Sequence, residues 1–348
     1  MWAALRRRAA PAFLAFLLLV AAGDAWGDPD GSGRDAPAGA REYLSRALDL
    51  MEAHSVRRDQ VDWPRLRRDA YARTESARTP SDTYAAIIDA LTELGDHHSS
   101  FLTPVERVIT KQATEDTFTG LTGRQLPGPV GYLSLPGVGA APAGMDTYVR
   151  QGRAAVKEAE REGIDCGWIV DLRQNTGGSV WPMFAVAAPL LGEGKVGSFV
   201  SPDGSSTPWY VKNRRPGLNG KESRWGPADP VGRPDAPVAV LTGGRTASAG
   251  EALLIAFEGR PDTRTFGTAS SGLPTANSGF TLSDGAAINL TTAREADRTG
   301  RTYDGPIPPD EEVPTARADI RTDRDETLKA ATRWLLGQDA CRGLRTGS

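Results

Sequence analysis

Three amphipathic segments open the folded part of the chain. Apolar residues recur in each at the spacing of one helix face, within residues 43–51, 61–72 and 84–91. Asp82, shortly after Pro80, is a suitable start for the third helix, and Gly95 is a suitable stop. The pattern predicts a small N-terminal helical subdomain over residues 40–104.

The pattern changes after a loop over residues 101–129. Short apolar runs bounded by Gly and Pro then alternate with longer helical stretches. The predicted strands are 130–135, 167–172, 196–200, 237–242 and 287–291, and the predicted helices are 145–162, 181–191, 248–258 and 325–336. This alternation indicates an α/β core over residues 105–340.

The first 39 residues have the composition of an export signal and a tether. Three arginines, Arg6 to Arg8, precede an apolar run over 9–22 and several small residues, which predicts a signal peptide over residues 1–27. The run is shorter than the roughly 20 residues of a membrane span, so we expect no stable span, with an uncleaved anchor as the alternative. Residues 28–39 are rich in Pro, Gly and Asp and are predicted to be a flexible tether. The protein is expected to be secreted or extracytoplasmic.

Composition and charge argue against nucleic-acid binding and indicate how the cysteines pair. The chain has 348 residues, and its net charge of −3 comes from 41 basic and 44 acidic residues without a long run of one sign. No basic footprint for nucleic acid is visible, so nucleic acid is not an expected partner. The two cysteines, Cys166 and Cys341, are predicted to form a disulfide because the chain is exported; two unpaired thiols are the alternative.

Ser248 is the first candidate for chemistry. The segment PVAVLTGGRTASAGEALLIAF predicts a buried strand, a glycine turn and a helix that opens at Ser248. Free N–H groups and the positive end of the dipole at a helix N-terminus stabilise a developing oxyanion. Ser248 and Glu251 also match the pattern of a capping box, so the alternative interpretation is that Ser248 only caps the helix. The segment is not the GxSxG elbow, because Thr246 stands in place of the first glycine.

A pair of glycines and a pair of histidines are the other candidates. Gly177 and Gly178 follow a predicted strand, where their N–H groups could donate to an oxyanion; a simple turn is the alternative. His97 and His98 follow a helix stop, and histidine is the usual partner of a serine nucleophile, although such a pair also occurs as plain surface residues. A metal site is not predicted, because adjacent histidines lack the i, i+4 spacing of a helical zinc pair.

The order of these motifs resembles that of the C-terminal processing (tail-specific) serine peptidases and their tricorn and retinoid-binding-protein relatives. In chain order the matching segments are VDW, LGDHHSSFLTP, VGYLSLPGV, VDLRQNTGG, VLTGGRTASAGE, LSDGAAINLTTA and DGPIPPD. The resemblance implies a ClpP/crotonase-like core of β-β-α units, peptide or protein substrates and no cofactor. It also implies Ser248 as nucleophile, with an oxyanion hole from Ala249, Gly177 and Gly178.

The chain departs from that family in two ways. Only residues 105–129 lie between the histidine loop and the first core strand, which is too short for a peptide-binding PDZ domain of about 50 residues or more. This layout is closer to the branch without that domain. In the family's Ser/Lys members a lysine lies after the nucleophile helix, but here Leu273 occupies its place and Asn277 that of its supporting glutamine. No lysine occurs between Glu222 and Glu326, so a Ser/Lys dyad cannot form locally.

Tricorn-type relatives use a histidine as the base, and His98 matches their DxH pattern with Asp96 at its start. Asp304 is the nearest match to the acid that orients this histidine, with a turn-forming role before Gly305 as the alternative. The expected function is a serine peptidase in which Ser248 attacks and His98 acts as base. The alternative, which the missing lysine keeps open, is a catalytically silent protein that binds peptides or small ligands on the same scaffold.

Overall fold

A computed structural model of the chain describes residues 39–112, 118–161 and 163–342. The helices are α1 Ala40–His54, α2 Trp63–Arg73, α3 Tyr84–Leu94, α4 Pro104–Gln112, α5 Pro142–Glu160, α6 Val180–Leu191, α7 Ala249–Phe257, α8 Glu326–Leu336 and α9 Asp339–Arg342. The strands are β1 Ser100–Leu102, β2 Thr122–Leu126, β3 Val130–Ser134, β4 Gly167–Asp171, β5 Gly194–Val200, β6 Ser206–Lys212, β7 Arg215–Leu218, β8 Lys221–Glu222, β9 Val238–Thr242, β10 Thr263–Gly267, β11 Thr275–Thr281, β12 Ala287–Asp297 and β13 Glu311–Glu312. The predicted signal peptide and nearly all of the predicted tether lie outside the described residues.

The first sheet has six strands in the order β13-β10-β9-β4-β3-β2. All neighbours in it are parallel except β2, which is antiparallel to β3. Every residue of β3, β4 and β9 is buried, because helices cover both faces, and this explains why these strands are continuous apolar runs in the sequence. Apolar residues of α5, α6 and α7 pack on one face and those of α8 on the other. The sheet therefore holds the loops after β4 and β9 at one edge.

The second sheet has seven strands in the order β1-β12-β5-β6-β7-β8, with β11 also paired to β12, and all its ladders are antiparallel. Strand β12 continues to Asp297, six residues beyond the predicted end at Thr291. Its apolar pattern weakens after Thr291, but its backbone continues to pair with β11 and then with β5. Ladder hydrogen bonds, and not hydrophobic alternation, determine the length of this strand.

The N-terminal helices share a hydrophobic core with the second sheet. Residues of α1, α2 and α3 pack with Ile288 and Leu290 of β12. Tyr43 and Tyr84 both donate hydrogen bonds to the carboxylate of Asp284, in the turn between β11 and β12. The predicted stop at Gly95 is confirmed by its left-handed φ of 68°, whereas Asp82 lies in a 3₁₀ turn, Pro80–Thr83, just before α3.

Cys166 and Cys341 form a disulfide, with Cα atoms 4.6 Å apart. The prediction of a bridge is therefore confirmed. Cys166 lies immediately before β4, and Cys341 lies in α9, so the bond fastens the C-terminal helices to the start of a central strand. None of the helices in the described part of the chain is long and apolar enough to cross a bilayer.

Candidate active site

Ser248 lies at a strained turn between β9 and α7. Its φ and ψ are 52° and −122°, a combination that non-glycine residues rarely adopt and that costs about 1–3 kcal/mol. The Thr246 hydroxyl donates to the carbonyl of Leu172 at 2.9 Å and accepts from the N–H of Gly243 at 3.1 Å, which holds the turn in place. The Ser248 side chain is thereby presented at the N-terminus of α7, with the residue 7% exposed.

The carboxylate of Glu251 connects Ser248 to a second segment. One oxygen accepts from the backbone N–H of Ser248 at 2.8 Å and from that of Leu273 at 2.9 Å. The other accepts from the hydroxyl of Ser270 at 2.6 Å and the N–H of Gly272 at 2.8 Å. Burial raises the pKa of Glu251, and these four donors oppose the rise. The predicted capping box is present, and it also positions the candidate nucleophile.

Asn175 fixes the glycine loop against the nucleophile turn. Its buried side chain accepts from the N–H of Gly177 at 3.0 Å and donates to the carbonyl of Leu135 at 3.0 Å. Its backbone carbonyl accepts from the N–H of Ala247 at 3.0 Å. Asn175 was not among the predicted site residues, because an asparagine before a glycine pair looks like ordinary turn chemistry.

Gly177 lies against Ser248 and Gly178 lies against Val138, each at a distance that excludes a side chain on the glycine. Gly177 and Gly178 have φ of 94° and 113°, in the left-handed region. A Cβ on Gly177 would lie 2.9 Å from Cβ of Ser248, and one on Gly178 would lie 1.9 Å from the carbonyl oxygen of Val138. Close approach of two backbones therefore requires glycine at both positions.

Of the three backbone N–H groups predicted to bind an oxyanion, two have no hydrogen-bond acceptor within the described residues. Ala249 is the first residue of α7, so its N–H has no acceptor within the helix. The N–H of Gly178 has no acceptor among the described residues. The N–H of Gly177, in contrast, is already donated to Asn175. The geometry thus leaves Ala249 and Gly178 as candidate donors and gives Gly177 a packing role.

His98 is held from three sides. Its Nδ1 atom lies 2.7 Å from the hydroxyl oxygen of Thr275, its N–H donates to Asp96 at 2.9 Å, and its carbonyl accepts from Asn277 at 2.9 Å. Burial lowers the pKa of His98 to about 4, and the charge of Asp96 opposes this shift. His97 is exposed, with φ of 56°.

Ser248 and His98 are anchored to the same short segment, residues 270–275. Glu251 joins the N–H of Ser248 to that of Leu273 through one oxygen atom. The N–H of Thr275 donates to the carbonyl of Leu273 at 2.8 Å, and the Thr275 hydroxyl contacts His98. Thr275, the first residue of β11, is therefore part of the candidate site.

Asp304 lies in a different environment from the one predicted. Its side chain is 61% exposed, 3.7 Å from Nε of Arg294 and 3.9 Å from Nη2 of Arg57. The Nδ1 position of His98 is taken by the hydroxyl of Thr275 and not by this carboxylate. Thr275 lies between Leu273 and Asn277, in a segment that the sequence already singled out, but a lone threonine on a polar strand carries no signal of its own.

A second acidic side chain lies buried behind the nucleophile helix. Burial and the nearby charge of Glu251 raise the pKa of Glu295 well above its ordinary value. Its Oε2 atom has no hydrogen-bond partner within the described residues. A protonated, neutral carboxyl fits this environment.

In the described part of the chain, no three His, Cys, Asp or Glu side chains cluster as a metal site would require.

Residues 129–313, more than half of the chain, match the family model described as peptidase family S41. The nisin-resistance protein of Lactococcus lactis subsp. lactis is 26% identical over 283 residues, which cover 81% of this chain and 86% of that protein.

Two solved structures share the fold across most of their length. A lipoprotein from Streptococcus agalactiae has a TM-score of 0.67 at 21% identity, covering 86% of this chain and 97% of that one. The photosystem II D1 C-terminal processing protease has a TM-score of 0.58 at 16% identity, covering 87% and 98%. Because the family model spans the loops after β4 and β9, it includes both the glycine pair and Ser248. This chain is therefore a member of peptidase family S41, a serine-type peptidase.

Proposed function

We propose that the protein hydrolyses peptide bonds outside the cytoplasm, with Ser248 as nucleophile and His98 as general base. The observation that carries this proposal is the common anchoring of both residues to residues 270–275. The predicted export signal, and the lipoprotein among the structural neighbours, support the location.

The reaction follows from the groups present. In the tautomer that a base requires, Nδ1–H of His98 donates to Thr275, and Nε2 accepts the proton of the Ser248 hydroxyl as Oγ attacks the scissile carbonyl. The negative oxygen of the tetrahedral intermediate is stabilised by the N–H groups of Ala249 and Gly178. His98 then gives its proton to the leaving amine, which leaves an acyl-enzyme. A water molecule, deprotonated by His98, hydrolyses the acyl-enzyme and restores Ser248.

Thr275, and not Asp304, orients the ring of His98 in this mechanism. A hydroxyl can fix the ring of His98 without carrying a charge, so the imidazole remains neutral when buried. Asp96, which accepts two backbone N–H groups of the histidine loop, from His98 and Ser99, holds the loop.

The proposal is tested by labelling with a fluorophosphonate probe and by cleavage of a peptide library. The wild-type protein should be labelled, whereas Ser248→Ala should not be. His98→Ala should lose about 10²–10⁴-fold in turnover, the usual contribution of a general base, and His97→Ala should lose little. The name of the Lactococcus relative makes nisin a compound to include among the substrates.

Circular dichroism and melting temperature serve as the folding control for each variant. Equal labelling of wild type and Ser248→Ala would disprove the role of Ser248. Folded wild-type protein that is neither labelled nor active, but still binds peptides, would support the silent-scaffold alternative.

A further inference from the structure

A cavity of about 150 Å³ opens at the carboxyl edge of the first sheet. Thr242 and Gly267, the last residues of β9 and β10, line it, together with Arg173 and Gln174 from the loop after β4. Thr327, in the first turn of α8, also lines it. The carboxyl edge of parallel strands is where open α/β sheets bind ligands. The cavity does not include Ser248 or His98.

The cavity carries positive charge. Arg245 and Arg317 line it and are exposed, and neither forms an ion pair with another residue of the described ranges. Arg173 also lines it, but its guanidinium is buried between Asp171 at 2.8 Å and Asp325 at 2.7 Å. The charge of Arg173 is thus compensated, and two arginines remain to attract an anion.

A buried polar group at the cavity also lacks a partner. Thr242 is 1% exposed, and its hydroxyl has no hydrogen-bond partner among the residues that the structure describes. Leaving a buried hydroxyl unpaired costs about 1–3 kcal/mol, so such a group marks a place where a ligand or a water completes the hydrogen bonding. The hydroxyl can donate a hydrogen bond, as the two guanidinium groups do, so all three can donate to one acceptor.

We propose that this cavity binds a small oxyanion, a carboxylate or a phosphate, through Arg245, Arg317 and Thr242. The volume is suited to such a group and not to a larger ligand. The anion is either free in solution or the terminal carboxylate of a bound peptide, since both present the same oxygens.

The cavity adjoins both loops of the proposed active site, the glycine loop after β4 and the turn before α7. Gln174 directly precedes Asn175, which holds the glycine pair, and Arg245 lies three residues before Ser248. A bound anion would therefore restrain the loop of the oxyanion donors and the turn of the nucleophile together. Binding itself needs neither Ser248 nor His98, so it is testable apart from hydrolysis.

The experiment measures the melting temperature of the full chain in inorganic phosphate against chloride at equal ionic strength. Phosphate should raise the melting temperature by about 2 °C or more, because a ligand that binds only the folded state stabilises it. The double variant Arg245→Gln/Arg317→Gln should lose this rise, and Thr242→Val should reduce it. Arg68→Gln, which removes an exposed charge from α2, should retain it.

A second measurement in Ser248→Ala identifies the source of the anion. If a peptide with a free C-terminal carboxylate raises the melting temperature and the same peptide with a C-terminal amide does not, the cavity binds the terminal carboxylate of peptides. If phosphate alone raises it, the site takes a free anion. The proposal is overturned if neither raises the melting temperature above chloride, or if the rise persists in the double variant Arg245→Gln/Arg317→Gln, as the general stabilising effect of phosphate would give; water then satisfies Thr242.

Discussion

The Nδ1 atom of His98 lies 2.7 Å from the hydroxyl oxygen of Thr275, across 177 positions of sequence. This contact fixes the orientation of the ring, and in the mechanism that we propose it leaves Nε2 to accept the serine proton. A threonine in this position has no charge to offer the imidazolium that forms during the reaction, so its contribution is positional.

Removing that hydroxyl should slow catalysis without unfolding the protein. Thr275→Val is expected to lower kcat by about 5–30-fold, the equivalent of about 1–2 kcal/mol for one lost hydrogen bond, with little change in KM. Thr275→Ser keeps the hydroxyl and should retain most of the activity. Steady-state kinetics on one peptide substrate measures both, and a Thr275→Val enzyme as fast as wild type would refute the positioning role.

The acid limb of the pH profile should lie well below the ordinary histidine range. The base works as neutral imidazole, and burial lowers the pKa of His98 to about 4, so the active form persists as pH falls until that value. We expect kcat/KM on an uncharged peptide to be level down to about pH 5 and then to fall. An unperturbed histidine would give an activity midpoint at about pH 6.5. That result, in protein shown by circular dichroism to be folded, would contradict a pKa lowered by burial.

A methyl group on Gly177 should disable the site. The added Cβ would lie 2.9 Å from Cβ of Ser248 and 2.8 Å from the carbonyl oxygen of Ala247, so the loops must separate. Gly177→Ala is expected to lower kcat by about 100-fold or more, because separation of the loops would move the proposed donor Gly178 away from Ala249, and loss of one oxyanion donor has an effect of that size. Gly204→Ala is the matched control, because its φ of 83° carries similar strain in open space. Similar kinetic losses in both variants would show that strain, not contact with Ser248, is responsible.

The disulfide should contribute substantially to stability. It closes a loop across a sequence separation of 175, for which the chain-entropy relation gives about 5 kcal/mol. The double variant Cys166→Ser/Cys341→Ser should lose that amount in a denaturant titration. Reduced wild-type protein should unfold like the double variant, and an unchanged midpoint in both would show that the bridge adds nothing.

Glu295 should make the protein less stable as pH rises. Its pKa is raised in the folded state, so the unfolded chain releases this proton first, and ionisation favours unfolding above the ordinary pKa of about 4.3. Glu295→Gln removes the titration and should melt above wild type at about pH 8, with the difference shrinking toward about pH 4. The exposed Glu75→Gln is the control, and a pH-independent difference for Glu295→Gln would contradict the assignment.

The elements that carry the site are predictable from local sequence patterns. Buried parallel strands are continuous apolar runs, because both faces are covered, and this placed β3, β4 and β9 to within a residue or two. Helix stops and glycine pairs are equally local signals, so the turn at Ser248 and the loop at Gly177 were visible before any contact was known. The pairing of Cys166 with Cys341 followed from the predicted export signal and from there being only two cysteines.

Which side chains come into contact depends on long-range packing. Thr275 reaches His98 because β11 pairs with β12, which also pairs with β1 beside the histidine loop. Glu251 gathers donors from a segment 19 to 22 positions away, and Asn175 contacts a turn more than 70 positions away. The spacing of apolar residues predicts which face of a helix or strand is buried, but it does not predict which neighbouring element covers that face. The partners of a polar side chain therefore depend on strand order and register, which long-range packing sets.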